Sequence, residues 1–168
     1  MLRPCRVFSA ICRPLKLIVR RHVTVSIELS DEATADVRAA VEAGLAQHAT
    51  AVGVVDRQVR PLSAVARDEA GLVVGALLGR TVWGWLHVSE LWVAEPNRGK
   101  GVGRSLMLSA ERAALERGCH SCYLDTFDFQ AVPFYSRLGY STMGTLQNFP
   151  AGHTRFFLEK HLGHVGAA

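Results

Sequence analysis

Between Val93 and Leu106 the chain reads VAEPNRGKGVGRSL, and its centre, Arg98, Gly99, Lys100, Gly101, Val102, Gly103 and Arg104, alternates bare backbone with cationic side chains. Glycines let peptide N–H groups approach a ligand with no Cβ in the way. A helix beginning here would add unpaired donors and roughly half a positive charge. Together these make an anion seat suited to phosphate or pyrophosphate, to which arginine and lysine add charge-assisted bonds. Spacing tells the phosphate loops apart. G-x-x-x-x-G-K-[ST] fails because Lys100 is followed by Gly101. G-x-G-x-x-G counted from Gly99 meets Arg104 where its third glycine belongs, and counted from Gly101 it meets Leu106. Asp125, at the end of the next strand-like run, is what keeps a dinucleotide reading open. A third pattern, [R/Q]-x-x-G-x-G/A, is matched by Arg98, Gly101 and Gly103.

These residues need a strand on one side and a helix on the other, and the sequence supplies both. WGWLHVSELWV ends at Val93 as the third of three strands, after PLSAVARD and LVVGALLGRTV, with Gly84 turning the last hairpin. From Gly101 to about Arg117 a helix places Leu106, Met107, Ala110, Ala113 and Ala114 on one stripe, with Gly118 as its C-terminal cap. CHSCYLDTF then reads as a strand, 130–138 as a short helix ended by Gly139, and YSTMGTL and TRFFLEK as closing strands. Upstream, VTVSIEL reads as a strand. Ser30 reads as the N-cap of a helix over 31–48 whose face holds Val37, Val41, Gly44, Leu45 and His48, a helix covering a core. Meander strands followed by β-α-β-α-β indicate an α/β protein with a mixed sheet. Strict alternation in the third strand puts His87, Ser89 and Leu91 on one face and Val88, Glu90 and Trp92 on the other.

With ELWV before the glycine loop and FQAVPFYSRLGY after it, the sequence resembles the GNAT superfamily of acetyl-CoA-dependent N-acetyltransferases, over about residues 72–160 and more loosely from 23 onward. The resemblance implies a mostly antiparallel central sheet splayed into a V, with helices on both faces. It implies that the backbone of Leu91, Trp92 and Val93 pairs with the pantetheine of acetyl-CoA, that the Val93 N–H polarises the thioester carbonyl, and that the pyrophosphate rests on the amides of residues 99–104, with Arg98 also binding the cofactor. Many members carry Asn where this chain has Asp128, and Gln130 is the residue expected to take over that contact. Tyr135 is the implied acid for the departing thiolate, with plain packing as its alternative. The base stays open among Glu90, Asp125 and His87. The reading is a direct acetyl transfer to a primary amine of a small molecule or peptide, with no metal. The alternative is a non-catalytic acyl-CoA-binding sensor. Similar proteins are often homodimers.

At 168 residues and 49% hydrophobic the chain suits one domain, read as 23–163 with a tail at 164–168. Residues 1–22 carry Arg3, Arg6, Arg13, Lys16, Arg20 and Arg21 and no acid, and read as a basic, disordered extension with a targeting arm as the other option. Without those six cations, 13 basic stand against 15 acidic residues, so the body offers no basic face for nucleic acid. No stretch has transmembrane length. Cys119 and Cys122 read as buried small residues rather than metal ligands, and free thiols suit the cytoplasm.

Overall fold

Ladder pairing and helix hydrogen bonding give the order β1 (Leu15–Val19), β2 (Val23–Ile27), α1 (Ala35–Ala51), β3 (Arg60–Arg67), β4 (Val73–Val82), β5 (Trp85–Val93), α2 (Val102–Glu116), β6 (Ser121–Phe127), α3 (Val132–Arg137), β7 (Ser141–Gln147) and β8 (Thr154–His161). The structure is a computed structural model and describes residues 15–19, 23–54 and 58–163, with side chains from residue 25 on. Residues 1–14 of the basic stretch, with Cys5 and Cys12, and the tail 164–168 lie outside the described residues.

Two units divide the chain, Met1–Gly53 and Val54–Ala168. In the first, β1 and β2 pair antiparallel from Leu15↔Ile27 to Val19↔Val23. The paired strands β1 and β2 lie on either side of the boundary expected at residue 22. The helix expected from residue 31 starts at Ala35, after Thr34. Ser30 makes a local turn instead: its hydroxyl donates to Glu32 O at 2.9 Å and accepts from Glu32 N at 3.3 Å. No α1 residue is buried, and Val37, Val41 and Leu45 are all exposed, so the described residues do not show the expected core-covering face.

The second unit is built on a six-stranded sheet of order β3-β4-β5-β6-β8-β7. Among the described strands only β5 and β6 run parallel. They pair over Trp85–Val88 and Ser121–Leu124 and then part, which splays the sheet into a V whose walls are the C-terminal ends of the two strands. Trp83 and Gly84, with φ of 49° and 76°, turn β4 into β5 in the mirror-image geometry that matches strand twist.

A β-bulge decides which side chains line the V. Leu78 opposes Glu90 and Gly79 opposes Val88, so Ser89 is the extra residue and the alternation of β5 slips by one. A Cβ on Gly79 would collide with the His87 carbonyl, so the bulge needs glycine there. Leu86, Val88, Leu91 and Val93 consequently share one face with Leu77. His87, Glu90 and Trp92 share the other, which corrects the strict alternation that set His87 against Glu90. On the first face α2 buries Leu106, Met107, Ala110 and Ala114 against Leu77, Leu86, Val88, Leu124 and Leu158, and α3 adds Tyr135. Ala113 is only partly buried, and Glu111 takes a place in the stripe that the sequence pattern did not give it. Its carboxylate is buried but accepts from Tyr140 Oη at 2.9 Å and Lys160 Nζ at 2.6 Å, and this satisfaction makes its burial tolerable. Cys119 and Cys122 are buried and free, as read from the sequence.

Candidate acyl-donor site

The glycine stretch folds as a loop leading into α2. Gly99 and Gly101 take φ of 72° and 86°, the left-handed region that a side chain resists. Among the described residues the amides of Gly99 to Arg104 donate to no backbone carbonyl, and the first helical bond is Ser105 N to Gly101 O at 3.0 Å. Gly99 and Gly101 to Arg104 line a cavity of about 580 Å³ between the end of β5, the start of α2 and α3. Arg98, Arg104 and Arg137 line it, with no acid among the described lining residues, so its field suits a polyanion. Leu91, Val93 and Phe134 give it an apolar inner wall. Arg98 Nε donates to Val93 O at 3.0 Å and ties the loop to the strand end.

Ala94 N donates to Val74 O across β4 at 2.9 Å. By strand alternation the Val93 and Leu91 peptides face the other way, into the gap of the V. The Trp92 peptide faces β4 and its side chain lies on the far face, half exposed, so Trp92 does not join the cavity as expected.

Tyr135 lines the cavity at 7% exposure, edge-on to Phe134 and Tyr140 at 5.0 and 5.9 Å. Burial, aided by the nearby Cys122 thiol and Asp125 carboxylate, pushes its phenol up to about 12. Asp125 also acts on His87, which is lowered by burial and by Arg80 and partly restored by Asp125. Asp125 thus lies within electrostatic reach of both, although it does not line the cavity. Its Oδ2 takes both Arg155 Nε at 2.7 Å and Nη2 at 2.6 Å. His87 stacks on Tyr123 at 4.5 Å, and its Nδ1 is buried with no partner among the described residues. Glu90 is exposed and borders a separate hollow with Ser63, Leu78 and Ser89. Lys100 faces a neighbouring hollow beside Ala64 and Ser105. Gln130 Oε1 is used inside the protein, accepting from Thr126 Oγ1 at 3.0 Å and Phe127 N at 3.2 Å. Asp128 likewise binds Thr154 N and His153 Nδ1, both at 3.0 Å. Glu90, Lys100, Trp92 and Gln130 are therefore not brought to the cavity, whereas Arg98, Gly99, Gly101, Val102, Gly103, Arg104, Leu91, Val93 and Tyr135 are.

The model of the acetyltransferase (GNAT) family matches residues 32–140. The chain belongs to that family. Blasticidin-S acetyltransferase of Streptomyces morookaense is 41% identical over 109 residues, covering 62% of this chain and 80% of that protein. An acetyltransferase of Agrobacterium fabrum is 36% identical over 133 residues, covering 79% and 96%. A crystal structure of an acetyltransferase from Bacillus cereus superposes with a TM-score of 0.71 at 30% identity, covering 80% of this chain and 97% of that one. The mixed sheet and its helices are those of a GNAT acetyltransferase.

In this GNAT chain the cavity also takes in Asn97, Ala131, Phe134, Arg137 and Leu138, which the sequence reading did not single out. A signal was present, since positions 131, 134, 135 and 138 share one face of a helix. Arg137 stands beside that face, and its role depends on where α3 docks.

Proposed function

We propose that this GNAT acetyltransferase moves an acetyl group from acetyl-CoA to a primary amine of a small molecule, by direct transfer with both substrates bound. The reading rests above all on the free amides of residues 99–104 at the rim of a cavity lined by arginines and no described acid. Those amides, with Arg104 and Arg137, would hold the pyrophosphate. The inward-facing Leu91 and Val93 peptides would pair with the pantetheine, with the Val93 N–H aimed at the carbonyl oxygen. The curated relative named for acetylating blasticidin-S supports a small-molecule acceptor. The buried free cysteines suit a reducing compartment, and we place the protein in the cytoplasm.

Acetyl-CoA supplies an activated thioester. The amine nitrogen forms the new bond to its carbonyl carbon, the carbon–sulfur bond breaks, and one proton must pass from the amine to the sulfur. An alkyl ammonium of ordinary pKa near 10.4 has to lose a proton first. His87, Glu90 and Asp125 are the groups on the far-face side of the gap able to accept it, directly or through water. Tyr135 serves the sulfur. With its phenol near 12 it stays protonated, and complete transfer to a thiolate of ordinary pKa near 8.5 is uphill by about 3.5 units, roughly 5 kcal/mol. Its contribution is therefore a hydrogen bond to the developing thiolate, and solvent completes the protonation.

Acetyl-CoA at a hundred times its Kd should raise stability by about 2.7 kcal/mol, read as a melting shift. Added amines should then release free thiol steadily. A shift without amine-dependent thiol would leave the binding and refute the enzyme, making the protein an acyl-CoA sensor, and no shift at all would refute both.

A further inference from the structure

On the sheet face opposite the cavity, beyond the last β5–β6 pair, the two walls of the V carry exposed aromatic rings and carboxylates in place of apolar core. Trp92 is 51% exposed on β5, next to Glu90. On the other wall Phe127 stacks with Phe129 at 5.1 Å, and Phe129 and Phe149 are 56% and 47% exposed. Rings this exposed contribute little to the core, and an aromatic face beside a carboxylate attracts cations. The protein shows the preference with a group of its own. The Arg155 guanidinium lies 5.4–5.6 Å from the centres of Phe127, Phe149 and Phe157 while Asp125 neutralises it. On this face Asp125 holds Arg155, Asp128 holds His153, and Arg80 stands farther along β4 opposite His87, which leaves Glu90 as a carboxylate with no ion pair among the described residues and a place for a cation beside it.

We propose that this rim is the acceptor subsite and selects an amine that carries a second positive charge on a planar group, such as a guanidinium, over neutral or carboxylate-bearing amines. The proposal rests on the reading of the cavity as the acyl-donor site. The amine end reaches the gap near Asp125, and the planar cation lies against Phe129 and Phe149, whose accessible faces continue the stack that Arg155 begins. Both charges of the ligand then meet carboxylates, and neither needs burial.

Three amines on the same four-carbon chain test it: agmatine with a guanidinium, butylamine with a methyl end, and 4-aminobutyrate with a carboxylate. Each is titrated by calorimetry into the full chain saturated with CoA, which needs no turnover. Agmatine should bind at least tenfold more tightly than butylamine, and 4-aminobutyrate more weakly than either. Phe129→Leu and Phe149→Leu keep the volume and remove the π face, and each should cut agmatine affinity about three- to fivefold. Butylamine and CoA affinities should stay the same. Equal affinity for the three amines, preference for the carboxylate, or Leu variants that keep the full agmatine preference would overturn the proposal. No amine binding beside a normal CoA signal would overturn it too, while sparing the donor site. Should CoA itself fail to bind, the donor-site reading falls, and the same titrations on the free protein still decide the charge preference.

Discussion

Tyr135 stands between the cavity and Asp125: it is buried among aromatic rings, lines the cavity and feels the charge of Asp125. Its ring is held edge-on by Phe134 and Tyr140, so Tyr135→Phe keeps the packing and removes one hydroxyl. If that hydroxyl bonds the departing sulfur, the variant should lose about a hundredfold in kcat. Its KM for acetyl-CoA should stay within about threefold. Steady-state thiol release checks both numbers, and an unaltered kcat would remove Tyr135 from the chemistry. Since the phenol ionises near 12, no loss of activity below about pH 11 should be traceable to Tyr135.

At the scale of elements, the geometry of the candidate site depends on where α2 begins and where β5 bulges. Gly101 precedes α2 at φ 86° with open space around a would-be Cβ, so Gly101→Ala has conformational strain as its only intrinsic cost, about 1–2 kcal/mol. Gly103 has ordinary helical geometry. A Cβ there would meet Phe134 Cζ at 3.5 Å and Val93 Cγ2 at 3.6 Å, normal contact distances. Both partners line the cavity, so the methyl group would take up cavity space without disturbing the fold. Gly103→Ala should hold or gain stability and weaken acetyl-CoA binding about tenfold, equivalent to 1.4 kcal/mol. Chemical denaturation and calorimetry separate the two effects, and full affinity in the Gly103 variant would move the pyrophosphate elsewhere. The bulge acts on the other wall. By slipping β5 one residue at Ser89 it brings Glu90 and His87 to the same face.

Across the second unit as a whole, the core holds acids that ionise with difficulty. Burial pushes Cys122 from 9.0 up to about 12 and Tyr135 from 10.0 up to about 12, and it drives Tyr140 well above the ordinary phenol range. As pH rises past 9 and then 10, the unfolded chain releases these protons while the folded one retains them. The unfolded state then binds fewer protons, so the slope of stability against pH is negative, at most about 1.4 kcal/mol per pH unit for each group. Stability should be insensitive to these groups below about pH 9 and fall above it. Cys122→Ala should make the fall between about pH 9 and 10 shallower, while Cys119, whose thiol burial also raises, keeps part of it. Denaturant midpoints from pH 8 to 11 test this, and a wild-type curve that stays level to pH 11, or one the variant merely parallels, would contradict it.

The sequence alone determined what depends on neighbours along the chain. The left-handed glycines of the loop, the Leu106, Met107, Ala110 and Ala114 stripe, the hairpin at Gly84 and the strand–loop–helix order are local consequences of backbone freedom and periodicity. These were enough to put the glycine loop at a strand–helix junction, and Arg98, Gly99, Gly101, Gly103 and Arg104 of that loop line the cavity. Tertiary structure decided what depends on partners distant in sequence. Glu111 is tolerated inside because Tyr140 and Lys160 meet it, and Gln130 is spent on Thr126 and Phe127. Arg137 reaches the cavity because of how α3 docks, and Glu90 shares a face with His87 because β4 imposes a bulge. A hydrogen bond or a register slip between strands is settled by both partners at once, and a period counted along one strand contains only half of that information.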